Sequence, residues 1–249
     1  MKLQMEHGRD YFSPSQLKKL YISVGQFKAY LSRTFTTTRQ MNLGSAIHCA
    51  VLEPELFDSR YIVFDDAVIR EEIGGARPTS TKAYKEWLDD YTKKNEGKDF
   101  LTQDEKVVLD TIVGNLKASG VMDRWFVDGQ AEETITGVVK KYDTRFDALC
   151  IVDYDLIDYS VDLKTTSKPL HKFKWDANDL GYDIQASLTN AVNGKPFIFV
   201  VVQTVAPYDI GVYTCSKEFM QRGADKINHA LDNYDRFEDF EPQVLHFEL

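Results

Sequence analysis

Between Arg145 and Thr166 the chain reads RFDALCIVDYDLIDYSVDLKTT, two runs of alternating apolar and polar residues that together ask for an antiparallel hairpin buried on one face. With Tyr154 and Asp155 at the turn, this pairing sets Asp147 opposite Asp162, and Lys164 follows on the same face two residues on. Phe146, Ala148, Cys150, Val152, Ile157, Tyr159, Val161 and Leu163 make the opposite, apolar face. Facing carboxylates repel unless a cation lies between them. A hard divalent ion such as Mg²⁺ fits that place, because it takes oxygen ligands and completes its shell with water and phosphate. A lysine beside it can orient or deprotonate water and stabilise developing negative charge. The spacing reads as a phosphodiesterase site; an exposed acidic strand with a compensating lysine fits the same spacing.

Composition limits the rest. A chain of 249 residues with 43% hydrophobic content can bury a real core, and we expect one large domain. No run of about 18 apolar residues appears and MKLQMEHGRDYF has no apolar signal region, so neither a membrane span nor a secretory leader is readable and an intracellular, cytoplasmic protein is expected. Cys49, Cys150 and Cys215 are scattered and form no CxxC pair, which suits buried, inert thiols in a reducing compartment. The net charge of −9 argues against a simple basic nucleic-acid binder. The charge is uneven, however: residues 1–40 carry Lys2, Arg9, Lys18, Lys19, Lys28, Arg33 and Arg39 against Glu6 and Asp10, a local +5 that leaves −14 elsewhere. Lys164, Lys168, Lys172 and Lys174 form a second basic patch. A DNA backbone could run between the two; ordinary solvated faces would look the same.

In chain order, Ser13-Pro14-Ser15-Gln16 is a helix start with a serine cap, proline at the first position and a glutamine to close a capping box. The polar stretch Arg33 to Gln40 reads as a loop. Leu43 to Glu53 reads as a buried helix, within which a lone His48 beside small residues is more often core than ligand. A short strand is expected over Arg60 to Asp65, then a loop, EEIGGARPTST, that lacks any nucleotide-cradling pattern. Ser80 to Asn95 and Thr102 to Ser119 read as amphipathic scaffold helices. AEETITGVVKKY adds a strand to the hairpin, giving a three-stranded meander on which Glu132, or Glu133 if the register slips by one, could project towards the charged cluster as a further ligand; a glutamate at a strand end is usually just exposed. Asn178 to Asn193 is a helix with Tyr182 and Gln185 on one face. PFIFVVVQTV is a strand buried on both faces, reached by a crossover and so parallel to the charged strand. A strand over Tyr208 to Cys215, a helix over Ser216 to Phe237 and a surface tail, EDFEPQ, complete the chain.

Assembled in this order, the pieces resemble the PD-(D/E)XK nuclease superfamily, and within it the phage and prophage exonucleases of the RecE (exodeoxyribonuclease VIII) type, related to lambda exonuclease. The resemblance rests on YFSPSQLKKL, LGSAIHCAVLEPE, AEETI, RFDAL, VDLKTT and YDIQAS. It implies an α/β, restriction-endonuclease-like fold: a mixed central sheet flanked by helices, with a helical part over 1–128, a nuclease core over 129–215 and a C-terminal helix over 216–249. It implies His48, Asp147, Asp162 and the Leu163 carbonyl as metal ligands, Lys164 as the catalytic lysine, Glu132 as an accessory acid, and Gln185 with Tyr182 as orienting groups. Ser13, Ser15, Arg33, Arg39, Lys168, Lys172 and Tyr182 would meet DNA. The implied activity is Mg²⁺-dependent (Mn²⁺ substituting) digestion of linear double-stranded DNA from its 5′ ends by a homo-oligomeric ring, in a bacterial cytoplasm, leaving 3′ single strands for a single-strand annealing protein. A DNA-end-binding protein, or an endonuclease of other specificity on the same fold, is the alternative. Phe146 stands where the family has proline, and Thr189 where it often has tyrosine.

Overall fold

The computed structural model describes residues 11–32, 38–64, 71, 81–141, 144–235 and 237. It opens with β1 (Tyr11–Phe12), a strand too short to announce itself in the sequence. Helices α1 (Pro14–Ile22) and α2 (Val24–Ser32) follow, the first entered through the expected capping box between Ser13 and Gln16. Next come α3 (Arg39–Leu52), α4 (Phe57–Arg60) and β2 (Tyr61–Phe64). The expected loop over Arg33 to Gln40 is therefore too long at its end: Thr38 caps α3, its hydroxyl accepting from the Met41 N–H, and the helix begins at Arg39. The glycine-containing loop expected after β2 lies almost wholly outside the described residues, as does the acidic tail.

Helix α5 (Lys82–Lys94) precedes β3 (Asp99–Thr102), which pairs in parallel with β2. Trp87 and Tyr91 of α5, stacked on each other, meet Phe64 at tilted angles, and Phe64 stacks on Phe100, so this small sheet has an aromatic cover of its own. Helix α6 (Gln103–Ala118), with the predicted Thr102–Glu105 capping box, and α7 (Val121–Trp125) lead into the main sheet.

That sheet holds β4 (Gln130–Lys141), β5 (Thr144–Asp155), β6 (Ser160–Thr166), β7 (Phe197–Gln203) and β8 (Ile210–Thr214), with β1 added in parallel to β5. Strands β4, β5 and β6 form the expected antiparallel meander, and β7 runs parallel to β6 after a crossover, also as expected. All seven residues of β7 are buried. At about 2 kcal/mol for each large apolar side chain, this strand is the thermodynamic centre of the sheet. The crossover departs from expectation by being two helices, α8 (Phe173–Asp179) and α9 (Tyr182–Asn193). Gly181 separates them at φ 66°, a left-handed turn that glycine adopts without a side-chain clash. Helix α10 (Lys217–Tyr234) closes the described fold, capped by Ser216.

Helices cover both faces of the sheet. Ile47 and Val51 of α3 and Ile112 and Leu116 of α6 pack with Val161, Leu163 and Val200, while α1, α2, α9 and α10 enclose Ala148 and Cys150. Helices α9 and α10 cross closely at Gly223, where a Cβ would lie 2.0 Å from the Asp183 carbonyl oxygen. The cysteines are unpaired; Cys49 and Cys150 are buried and Cys215 is partly exposed.

One feature of the sheet creates the site. Strand β4 occupies one edge of β5 along its length, so β1 and β6 share the other edge. Strand β6 pairs only at Tyr154 with Val161 and at Asp155 with Ser160, and β1 only at Asp147 and Ala148. Between these points β5 and β6 part, and the fork exposes main-chain groups that a continuous ladder would have consumed.

Candidate metal centre

The fork corrects the register expected from the sequence. The turn lies over residues 156–159, not at Tyr154 and Asp155, and the Leu156 N–H bonds to the Tyr159 carbonyl across it. Carried one step further, this register sets Asp153 against Asp162. Asp147 sits beside Tyr11, six residues back along β5, or about 20 Å at strand rise. It is Asp153 that joins the cluster, not Asp147.

The Asp153 carboxylate reaches into the fork, where its Oδ2 accepts the Leu163 N–H at 2.8 Å and lies 3.3 Å from His48 Nδ1. His48 is delivered by α3, which can approach β6 because Gly44 stands where a Cβ would be 3.2 Å from Thr165 Oγ1. Glu132 comes from β4, directly across from Asp153. His48, Glu132 and Asp153 bring ligand atoms within 4.8 Å of one another. Of the two alternatives in β4, Glu132 is therefore the glutamate at the site.

Asp162 lies behind this trio, 1% exposed. Gln185 Nε2 donates to its Oδ1 at 2.5 Å, and Lys164 Nζ stands 2.6 Å from Oδ2 as an ion pair, with no other donor to that oxygen among the described residues. The Tyr182 ring completes the arrangement, its centroid 5.0 Å from Lys164 Nζ. His48, expected as a ligand, and Glu132, expected as an accessory acid, are thus brought together; Asp162, an expected ligand, adjoins them; the Leu163 backbone bonds both His48 and Asp153.

The electrostatics suit a cation. Burial, and then the neighbouring Asp162, push the Asp153 carboxyl well above the ordinary carboxylate range. Glu132 is raised by burial and by Glu53. Burial and the Lys164 charge bring His48 down to about 4, so its imidazole is neutral at neutral pH, the form that binds metal. Burial alone would lower Lys164, yet Asp162 and Asp153 outweigh it and hold the ammonium above the ordinary lysine range. One neutral nitrogen and two carboxylates whose ionisation is opposed by burial and by neighbouring acids fit a divalent ion, which would supply the missing counter-charge. His48, Glu132 and Lys164 line a cleft of about 840 Å³ beside α3, walled also by Gln40, Ser45 and Thr165 and by Arg60, which is bonded to Glu53 at 2.5 and 3.3 Å.

The residues expected to meet DNA are scattered. Ser13 spends its hydroxyl on the α1 cap. Arg39 is bound to Glu105 at 2.6 Å and to Thr102, joining α3 to α6. Lys168 pairs with Asp176 at 2.6 Å. Ser15 and Lys172 are exposed, Tyr182 is at the site, and Arg33 lies outside the described residues. Asp153 was missed, although the repeated dipeptides Val152-Asp153 and Val161-Asp162 were a usable signal.

A family model described as a PDDEXK-like domain of unknown function (DUF3799) matches residues 13–243. The chain belongs to this PDDEXK-like family. Its mixed sheet with flanking helices is the restriction-endonuclease-like fold of that group. The solved structure of an exonuclease candidate from Eubacterium rectale is similar over 100% of this chain and 96% of that one, at 14% identity and a TM-score of 0.58. A phage-related exonuclease from Haemophilus somnus 129PT covers 73% of this PDDEXK-like chain and 97% of its own, at 13% identity and a TM-score of 0.32, a similarity too loose to bear on the fold. No curated protein matches the chain. No helix among the described residues is long and apolar enough to cross a membrane.

Proposed function

We propose that this PDDEXK-like chain is a divalent-metal-dependent nuclease, and more finely a 5′–3′ exodeoxyribonuclease that digests linear double-stranded DNA to 3′ single strands for recombination by annealing. The observation that carries the reading is the convergence of His48, Glu132 and Asp153 within 4.8 Å, beside the buried Asp162–Lys164 ion pair. Mg²⁺ or Mn²⁺ held by that trio would supply Lewis-acid charge at the scissile phosphate.

The protein groups divide the remaining work. Lys164, kept as an ammonium, donates to a phosphoryl oxygen and stabilises the negative charge that builds there and on the leaving oxygen. Gln185 fixes Asp162 through Oδ1, leaving Oδ2 turned to Lys164. Asp162 thereby aims the ammonium, and Tyr182 packs beside it. The Leu163 N–H anchors Asp153, so the ligands are set by main chain and do not depend on a loop.

We take the whole chain to act as one catalytic domain, in a bacterial cytoplasm, as a ring of identical subunits that feeds its single-stranded product to an annealing protein. The ring answers the charge problem, since a subunit at −9 repels a duplex unless its basic segments are gathered on one inner surface. The test compares linear with circular duplex, labelled at the 5′ or 3′ end, in Mg²⁺, Mn²⁺, Ca²⁺ and EDTA. Release of mononucleotides from 5′ ends of linear DNA only, in Mg²⁺ or Mn²⁺, is expected. Cleavage of circles would replace the exonuclease reading by an endonuclease, and digestion in EDTA would remove the metal site altogether.

A further inference from the structure

A second cavity, of about 470 Å³, opens between α1 and the α8–α9 corner. Ser15, Lys18 and Lys19 line it from α1, and Asp179, Gly181 and Lys226 from the other wall. Lys226 is already engaged, 2.8 Å from Asp183 Oδ2 and bonded to Asn178. Lys18 and Lys19 are not: among the described residues neither has a carboxylate within ion-pair distance.

Lys18 is the unusual one. Its stem is partly buried, packing within 3.0 Å of where a Cβ on Gly181 would be, and its Nζ lies 4.9 Å from the centroid of Tyr182. The same ring lies 5.0 Å from Lys164 Nζ, so two ammonium groups converge on one aromatic side chain. Lys164 has its carboxylates; Lys18 has only the ring face and the distant fields of Asp162 and Asp183. Burial, reinforced by the Lys164 charge, brings Lys18 down to about 8. A cation held out of water, unpaired and facing a cavity, is poised for an anion, and the strand entering the metal cleft carries phosphates on either side of the one being cut.

We propose that Lys18, assisted by Lys19, binds a backbone phosphate of the DNA strand next to the scissile one, which makes it a positioning residue of the cleavage site. The proposal rests on the nuclease reading above and adds to it a second phosphate site, reached across Tyr182. Lys18 touches neither the metal ligands nor the scissile group; it fixes how far the strand is drawn past Lys164.

The experiment measures binding of fluorescein-labelled duplexes, with 5′-phosphate or 5′-hydroxyl ends, to the full chain in EDTA over a series of KCl concentrations. Each phosphate that a variant no longer neutralises lowers the slope of log affinity against log salt by about 0.9. Lys18→Gln is expected to lower the slope by about that amount, Lys18→Arg to restore it, and Lys19→Gln to give a smaller drop, with thermal melts unchanged across the set. A drop confined to 5′-phosphorylated ends assigns the site to a terminal phosphate, and an equal drop on both ends to an internal one. Wild-type slope in Lys18→Gln would overturn the proposal while leaving the nuclease reading intact, because a lysine that merely packs on Tyr182 does not change the number of counterions released. Failure of the wild-type chain to bind either duplex in EDTA would also overturn the proposal, whereas the nuclease reading falls only if linear duplex is not cleaved in Mg²⁺ or Mn²⁺.

Discussion

Glu132 stands directly across the β4–β5 ladder from Asp153, and theirs is the position the ladder skips: pairing runs through Ala131 with Tyr154, resumes at Glu133 with Val152, and Glu132 itself has φ 51°. A non-glycine residue in that region costs about 1–2 kcal/mol, and no residue is inserted that would make it a bulge. The backbone is held there in order to turn the Glu132 carboxylate toward Asp153 and His48. Strain of this kind collects at functional sites. Glu132→Gly should therefore raise metal-free stability by about 1 kcal/mol in urea unfolding, while divalent-ion affinity and cleavage fall. A variant that is both less stable and fully active would mean the strain serves the fold.

The corrected register makes a second prediction about two aspartates on one strand. Asp153→Asn should lower metal-dependent cleavage at least about a hundredfold, since it removes a ligand and the partner of the Leu163 N–H. Asp147→Asn should leave cleavage within about twofold, because Asp147 sits at the β1 junction well away from the cleft. Kinetics on linear duplex with both proteins, after thermal melts establish folding, decide between the registers.

Much of the sheet was legible because strand alternation survives errors of register. Moving the turn from residues 154–155 to 156–159 shifts every partner by six, an even number, so Ala148, Cys150, Val152, Val161 and Leu163 stay buried as expected. The same shift exchanges Asp147 for Asp153 without disturbing the pattern. Ile157 and Tyr159 misled the reading: apolar and in phase, they extended the strand pattern into what is the turn, where Ile157 is 86% exposed. Asp162 and Lys164 were visible because their spacing is local, whereas Gln185, 23 residues from Asp162, was tied to them only by the family resemblance. His48 was not assignable from the residues around it, since a histidine in a helix of small residues looks the same whether it packs or ligates. The fork that places Asp153 arises from β1, two residues long, which no periodicity could reveal.

Metal binding should depend on pH through the acids rather than the histidine. The folded, metal-free protein holds protons on Asp153 and Glu132 above the usual carboxylate range, and an ion must displace them. Affinity should consequently rise with pH, by up to tenfold per unit for each proton released, and level off once both acids are ionised. His48, already neutral above about 4, contributes no such slope near neutrality. Calorimetric titration with Mn²⁺ in buffers of different ionisation enthalpy counts the protons. His48→Gln should weaken binding yet keep the pH slope; a slope that vanished with the imidazole would place the titrating group on His48.

The crossing ties α9, which carries Tyr182 and Gln185, to α10, and a Cβ on Gly223 would meet α9 there. A Cβ there would lie 2.0 Å from the Asp183 carbonyl oxygen and 2.2 Å from Ser187 Oγ, neither of which can withdraw freely: the carbonyl is main chain of α9, and the hydroxyl donates to the Met220 carbonyl at 2.7 Å. Asp183, fully buried, is further pinned by Arg222 at 2.7 Å and Lys226 at 2.8 Å, both from α10. Gly223→Ala therefore has to push the two helices apart, at a cost of about 3 kcal/mol or more, and the buried Asp183 ion pairs lengthen with them. Because α9 also carries Tyr182 and Gln185, the displacement reaches the site through Asp162. The expected result is a lower urea midpoint together with reduced kcat on linear duplex. Lys217→Ala, at the exposed start of α10, should change neither; an alanine at 223 that melted normally would show that the crossing is looser than the Gly223–Asp183 approach implies.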